Sequence, residues 1–391
     1  MTYFKKQDII NIFVIIIAGF IFACDLFLFH GRPITFDGHV HITTISQFYQ
    51  AMQQGEWFPR WSDGFANYGF PLPLVAHQIP SYLGSIIRYV VADSLTAFNL
   101  VAFFGVVTSS LSWYWFLRLY AKSFPSLVGT LIYNFAAYRI FNIYIRGAVP
   151  ELFASIFLPT LLIGIYMITS KRAVVYSFNK ASILIALSIT CLVLTHPMTL
   201  VLFAPIYIPY TLFRVWHTKC NLSVLFFIAV SAIIGLLISA YYFFPLLLEI
   251  KYFVYGSQDI HYFNHLFLTI SEYFQSPWAY FGGHPGPRAD LHAPGVIEIG
   301  IFIFAFGIAI YRFAVNRQIN KNIVAFLFIG TLCLFFTNSL SEPLYAHIKQ
   351  IGDVQHPWRF LGSFIFIPSF LINLNYEIKD LLKTYPNMTW I

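Results

Sequence analysis

The sequence predicts an all-α integral membrane protein with about ten transmembrane helices. Three observations carry that reading. The 391 residues are 58% hydrophobic, 20% aromatic and only 10% charged, with mean hydropathy +0.70, whereas a soluble domain is typically about 25% charged. Apolar runs of near-span length recur along the whole chain. The basic residues between them fall in alternate connections, as the positive-inside rule expects.

Taken in order, the expected spans are 9–29, 97–117, 125–143, 150–170, 181–196, 197–213, 222–244, 295–312, 322–338 and 359–376. The first follows Lys5 and Lys6 and is about twenty residues long, enough to cross a hydrocarbon core of about 30 Å. It lacks the short apolar core and A-x-A-like site of a cleaved leader, so it reads as an uncleaved span. Lys5/Lys6, Arg118/Lys122, Lys171/Arg172/Lys180, Arg214/Lys219, Arg312/Arg317/Lys321 and Lys379/Lys383 then share one side, which places both termini in the cytoplasm. The run 181–213 reads as two short spans hinged at Thr195-His196-Pro197, because a single span would invert the charge pattern downstream. Residues 74–92 are apolar but carry Pro80, Arg88 and Asp93, and read as a half-buried interfacial helix on the outer side.

The expected organisation is one polytopic membrane domain, 1–376, with a short cytoplasmic tail, 377–391. Three outer loops interrupt it: 30–96, 245–294 and 339–358. In the first loop Val40, Ile42, Ile45, Phe48, Tyr49 and Met52 recur at helical spacing, which predicts a helix lying on the membrane surface. The second loop is too rich in Gly and Pro at its end for long helices.

This topology sorts the titratable residues. Of 12 His only His217, and of 16 acids only Asp8, Glu377 and Asp380, fall on the side of the N-terminus. Solubility alone gives no reason for such sorting; a working site on the outer face does. The formal charge of +7 and pI near 9.1 do not indicate nucleic acid, since the sequence has no basic block. Cys24, Cys191, Cys220 and Cys333 are scattered without metal or disulfide spacing. Phosphate-loop, dinucleotide, G-x-S-x-G and H-E-x-x-H motifs are absent.

Three outer motifs can carry chemistry. In Thr35-Phe36-Asp37-Gly38-His39-Val40-His41, Asp37 and His41 stand four apart and share a helix face. A carboxylate beside an imidazole can act as a general base, or the pair can hold a divalent cation, Mg or Mn; the plainer alternative is that Asp37 caps the following helix. In Arg146-Gly147-Ala148-Val149-Pro150-Glu151, Pro150 and Glu151 suit a first helical turn, while Arg146 and Glu151 could equally hold a phosphate and a hydroxyl. Arg139, nearby, must snorkel or pair. In Gln355-His356-Pro357-Trp358-Arg359-Phe360, the Trp-Arg pair suits headgroup anchoring, and Arg359 is also shaped to bind a lipid phosphate. His39 and His41, with His284 and Arg288 of the second loop, are candidates for acceptor binding. Asp25 lies near the outer end of the first span, either in the bundle or at the interface.

These residues bring a resemblance into view. The segments FDGHVHITTISQFYQAMQQGEWFPRWSDGFANYGFPLPL, YRIFNIYIRGAVPELFASIFLP, FQSPWAYFGG and VQHPWRFLG resemble bacterial multispanning membrane proteins labelled "6-pyruvoyl-tetrahydropterin synthase-related". The resemblance covers roughly residues 10–370 and is most specific in R-G-x-x-x-E and P-W-R-F; the label implies no pterin chemistry. That family in turn resembles the GT-C class of glycosyltransferases. These carry an acidic residue just after span one, a surface helix in the first outer loop, and a sugar donor on polyprenyl phosphate. The resemblance implies a GT-C-like arrangement of helices, with Asp37 at the first acidic position and Glu151 as a second. Arg146 and Arg359 then become candidates for the donor phosphate. Family members are often longer, so this chain is expected to be a shortened member or to lack an acceptor-binding part.

The expected function is sugar transfer from a polyprenyl-phosphate donor to an extracytoplasmic glycan or glycolipid acceptor in cell-envelope assembly. Two alternatives stand beside it: a transporter or flippase of lipid-linked precursors, and a non-catalytic membrane scaffold. The mostly apolar span centres disfavour transport, which calls for ionisable residues within the spans.

Overall fold

The computed structural model describes residues 6–29, 31, 34–64, 68–170, 179–252, 266–274, 292–316 and 320–375. Among these the chain is helical, with only isolated bridges between extended residues. The helices, in order, are α1 (Lys6–Ala23), α2 (Asp25–Leu28), α3 (Gly38–Gln53), α4 (Leu72–Val75), α5 (Gln78–Ile87), α6 (Ser94–Leu117), α7 (Ser123–Asn134) and α8 (Ala137–Phe141). They continue as α9 (Val149–Ala154), α10 (Phe157–Thr169), α11 (Lys180–Thr195), α12 (Thr199–Thr218), α13 (Ser223–Ile238) and α14 (Ala240–Glu249). The last are α15 (Val296–Asn316), α16 (Lys321–Thr337), α17 (Glu342–His347), α18 (Lys349–Gly352), α19 (Leu361–Phe364) and α20 (Phe366–Asn375).

Every apolar run of the sequence becomes helix, but the expected ten spans are not confirmed. Among the described residues six helical stretches are long and apolar enough to cross a membrane, or seven if α13 and α14 count as one span. The shortfall has identifiable causes. The run 125–143 is broken between α7 and α8 at Phe135–Ala136. The helix of 222–244 turns by 75° between α13 and α14. Helix α11, with 16 residues, rises only about 24 Å at 1.5 Å per residue. Helix α16, with 17 residues, likewise falls below span length.

Side chains on the outer faces of the bundle are those a lipid would solvate. Ile9, Phe13 and Phe20 of α1, Phe226 and Ile233 of α13, and Phe304 and Ile310 of α15 are exposed, forming apolar surface far too extensive for water. The interior has two main cores. The larger joins α6, α7, α10, α11, α12, α16 and α20 around Trp113, Tyr133, Phe326, Phe366 and Phe370. The smaller lies between α1, α3, α6 and α9 around Phe22, Ile45, Phe98 and Leu152.

Helix α3 forms where its apolar spacing predicts one, and protein covers part of its apolar face: Ile45, Phe48 and Met52 are buried, and the helix packs on α5 and α6. The Ser85 hydroxyl of α5 donates to the Ile45 carbonyl at 3.0 Å. An apolar helix face reads identically in sequence whether protein or lipid covers it.

At the far end of α1, Asp8 is 1% exposed. Its Oδ1 accepts from Tyr114 Oη at 2.6 Å, Ser123 Oγ at 2.8 Å and Arg118 Nε at 2.9 Å. Asn11, one turn on, donates to the Ser123 carbonyl. This network fixes α1 against α6 and α7. Removing one partner of a buried ion pair leaves the other uncompensated, at a cost of about 3–5 kcal/mol. Asp8→Ala is therefore expected to lower unfolding free energy by about 3 kcal/mol, and pairing it with Arg118→Met to recover part of the loss. Thermal unfolding in detergent reads both; a double variant no better than the single one refutes the account.

Candidate functional site

The site forms where the segment before α3 meets the turn between α8 and α9. Phe36 N donates to Ile145 O at 3.1 Å and Asp37 N to Arg146 O at 2.7 Å. Two irregular segments thereby satisfy each other's backbone groups, as buried peptide groups must. Gly147 makes the approach possible. Its φ is +70°, and a Cβ there would lie 2.5 Å from Thr35 Oγ1 and 2.7 Å from Gly38 N. Residues Asn142–Arg146 wind as a single π-helical stretch, a form that recurs at functional sites. It turns Arg146 inward.

Arg146 is the electrostatic centre. It is 5% exposed and bonds Glu151 Oε2 at 2.8 Å and Asn142 Oδ1 at 2.7 Å through Nη1. Its Nη2 lies 4.0 Å from Asp37 Oδ2. Tyr138 Oη donates to the other Glu151 oxygen at 2.6 Å, and the Trp358 ring lies under the guanidinium at 5.2 Å. Two carboxylates from separate segments thus converge on one cation. They are not equivalent, because the Glu151 side chain is 6% exposed and that of Asp37 46%.

The capping alternative for Asp37 is not realised. The residue occupies the N-cap position of α3, but its side chain makes no cap bond. Thr35 Oγ1 accepts from Gly38 N instead, at 3.1 Å, which leaves the carboxylate free to face Arg146. Pro150 and Glu151 do lie in the first turn of α9, so dipole and ion pair act together on Glu151.

Arg359 differs from Arg146. It stands in the turn Pro357–Phe360, and its Nη1 donates to Val354 O at 3.3 Å. Its Nε is buried without a hydrogen-bond partner. Arg139 is 2% exposed, does not snorkel, and meets no carboxylate among the described residues. It donates to Ser109 Oγ at 3.0 Å and lies 4.2 Å over the Tyr133 ring. Asp25 is exposed. A cavity of about 10 Å³ between Glu151, Arg359 and Asn142 has room for about one water. The open side of the centre is that of Asp37.

On that side lies a file of imidazoles. His41, one turn along α3 from Asp37, has its ring 5.6 Å from that of His77, which stacks on His196 at 4.8 Å. Burial, with the charge of Arg146, lowers His41 to about 4. Burial, with the neighbouring His41, lowers His77 to about 3. His39 is exposed on α3 and does not join the file. His284 and Arg288 lie outside the described residues. Among those described, no group of three or more His, Cys, Asp or Glu converges as a metal site. Asp37 and His41 supply too few donors for a dedicated cage; an Mg- or Mn-type ion there would need a substrate's phosphate oxygens to complete its shell.

Sequence reasoning missed His77 and Tyr138, took His196 for part of a hinge and read Trp358 as a headgroup anchor. A shared signal did exist for the two histidines and His356. Each stands just before a helical turn with proline at or near its start: Pro80, Pro197 and Pro357. Imidazoles placed repeatedly at such starts are candidates for one rim.

Comparison with known proteins adds four findings. Residues 78–361 match the family described as 6-pyruvoyl-tetrahydropterin synthase related domain, membrane protein. An uncharacterized protein of Lactococcus lactis subsp. cremoris (strain MG1363) is 25% identical over 290 residues, which cover 70% of this chain and 45% of that protein. The crystal structure of the Archaeoglobus fulgidus oligosaccharyltransferase in the apo form superposes with TM-score 0.53 at 14% identity, covering 99% of this chain and 52% of that one. The same organism's oligosaccharyltransferase AglB, in complex with an inhibitory peptide and a dolichol-phosphate, gives TM-score 0.52 at 14% identity over 98% of this chain and 51% of that one. The likeness establishes a GT-C-type fold. The chain spans about half the length of the proteins it matches.

Two outcomes follow from this geometry. Gly147→Ala is expected to cost more than about 1 kcal/mol, since Ala at positive φ is strained and its methyl would part Gly38 from the turn; thermal unfolding reads the loss. The lowered imidazoles set a pH dependence. Above about pH 6.5 His41 and His77 are neutral in both folded and unfolded chains and contribute nothing. As pH falls from there toward about 4, the unfolded chain binds protons that the fold refuses, and stability drops. His77→Phe is expected to flatten that limb of the stability profile. An unchanged slope refutes the assignment.

Proposed function

This chain belongs to the 6-pyruvoyl-tetrahydropterin synthase related family of membrane proteins, and from that membership and its GT-C-type fold we propose that it transfers a sugar from a polyprenyl-phosphate-linked donor to an acceptor hydroxyl on the extracytoplasmic face of the cell membrane. The observation that carries the proposal is the convergence of Asp37 and Glu151 on Arg146, both within 4.0 Å of one guanidinium. Groups that act on one transferred atom must meet in one place, and these do, from segments far apart in the chain.

The roles follow from exposure and bonding. Asp37 is the reachable carboxylate and acts as general base. The acceptor oxygen forms the new bond to the anomeric carbon as its proton passes to an Asp37 oxygen. The bond from that carbon to the phosphate oxygen breaks, and the electron pair leaves with the phosphate. Glu151, enclosed by Tyr138 and Arg146, holds the Arg146 guanidinium in place, and Arg146 orients Asp37. Charge on the departing phosphate falls to Arg359, whose guanidinium has no ion-pair partner within 4.0 Å among the described residues, with the preorganised donors near it. A divalent ion held by Asp37, His41 and the donor would supply further charge at the leaving group. The archaeal oligosaccharyltransferase binds a dolichol-phosphate, which supports a lipid-linked donor here.

Asp37→Asn keeps the side-chain shape and removes the base. It is expected to lower transfer from a lipid-linked sugar donor in membrane preparations by about 10²- to 10⁴-fold, with thermal stability unchanged. Glycan output equal to wild type sinks the proposal. Movement of labelled lipid precursor across liposomes without its consumption would replace transfer with transport.

A further inference from the structure

Helix α8 begins without a local cap. The run 125–143 breaks at Phe135–Ala136, inside the larger core, where Ala136 is 1% and Tyr138 3% exposed. A restarted helix leaves its first N–H groups without intrahelical partners, and the N-cap residue here, Ala136, has no side-chain acceptor to offer. The Ala137 N–H is met instead from 161 residues away: it donates to Glu298 Oε1 at 2.9 Å.

Glu298 stands in the first turn of α15 and is 5% exposed. Among the described residues no Lys, Arg or His nitrogen comes within 4.0 Å of it. Its own helix start favours a carboxylate, and the Ala137 N–H supplies a hydrogen bond. Burying a carboxyl group away from any cation is still costly, and Ser, Asp or Asn in place of Ala136 would cap α8 without it. The remote bond does what a local cap does not, because it fixes where α8 stands relative to α15. Gly295 leaves room for it: a Cβ there would overlap Glu298 Oε2 and crowd the Ala137 methyl. The same segment also touches the other end of α8. His292, 2% exposed, has its ring 3.4 Å from that of Phe141 and 4.5 Å from that of Trp358.

What α8 carries gives this placement its consequence. Tyr138 follows Ala137 directly, and its Oη donates to Glu151 Oε1 at 2.6 Å. The chain then runs into the π-helical turn Asn142–Arg146, whose last residue bonds the other Glu151 oxygen at 2.8 Å. We propose that Glu298 is a positioning residue of the carboxylate centre: through Ala137 N it holds α8 where Tyr138 and Arg146 both reach Glu151. Its bearing on catalysis rests on the transfer reading; its bearing on Tyr138 does not.

The test reads the two separately, on the full chain in nanodiscs. A meta-fluorotyrosine at position 138 reports through its fluorine NMR resonance on the surroundings of that ring, and Glu151→Gln confirms that the resonance senses the carboxylate. Glu298→Leu removes the acceptor at similar volume and is expected to move the resonance by more than its linewidth. Glu298→Gln keeps an oxygen for the Ala137 N–H and is expected to leave it in place. Asp8→Ala loosens α1 at the far end and is expected to lower thermal stability with the resonance unmoved, so a shift is not a general sign of weakening. An unmoved resonance in Glu298→Leu overturns the proposal. So does a shift in Glu298→Gln as large as that in Glu298→Leu, since charge and not the hydrogen bond would then matter. If Glu298→Leu does not fold, Gly295→Ala displaces the carboxylate while keeping it; the resonance is expected to shift, and its failure to do so overturns the proposal. In transfer from a lipid-linked donor, Glu298→Leu is expected to lower kcat about ten- to a hundredfold and to leave KM for the donor unchanged, and Glu298→Gln to alter neither. Lost transfer with the resonance in place discards the positioning role. A shifted resonance in a chain whose wild type transfers no sugar keeps that role and discards the transfer reading.

Discussion

The hydrogen bond from Asp37 N to Arg146 O, at 2.7 Å, is the constraint on which the site depends. It brings two segments, each irregular by itself, to within backbone contact inside an apolar bundle. Each would otherwise leave peptide groups without protein partners. Only a residue without a Cβ, in the left-handed region, lets them come so close, and Gly147 supplies it. With the backbones joined, Asp37, Arg146 and Glu151 have little choice of position.

The charges at this place are distributed with a clear asymmetry. Arg146 takes one firm carboxylate, Glu151, and one looser one, Asp37. A fully enclosed pair of charges gains little net stability, so the network's value lies in holding a geometry. Glu151 is shut in by Tyr138, and its place in the first turn of α9 adds the helix dipole. Asp37 keeps half its side chain open. Arg359 by contrast donates to a carbonyl, Val354 O, at 3.3 Å. The centre thus pairs one open carboxylate with one enclosed and firmly held.

How much of this was legible in the sequence depended on whether the signal was local. The helices were legible because an apolar run of span length has few other uses. The span count was not, because the breaks carry no mark: Phe135-Ala136 between α7 and α8 has neither Gly nor Pro, and the 75° turn after α13 falls at Ser239, ahead of Pro245. Asp37, Arg146, Glu151 and Arg359 stood out as charged residues at the ends of apolar runs, and the structure brings Asp37, Arg146 and Glu151 together. The cap preference of Asp37 correctly located the start of α3 but assigned the side chain to the wrong partner. The stack of His77 on His196 was passed over, since a contact between residues so distant in the chain has no periodicity to betray it.

The position of the histidines then acquires a physical reason. A helix start in an apolar bundle has N–H groups to satisfy, and the residue types that usually do so are Ser, Thr, Asp and Asn. At α5 the position goes to His77, which does not cap, and at α12 to Met198, which cannot. At α12 the backbone itself meets the need: Thr199, Leu200 and Val201 N donate to the carbonyls of His196, Pro197 and Met198 at 2.9, 3.1 and 3.0 Å. At α5, Pro80 has no N–H to satisfy and Ser81 N reaches His77 O at 3.2 Å. Neither start therefore depends on a capping side chain, and the two imidazoles are left to stack on each other across the segments that carry them.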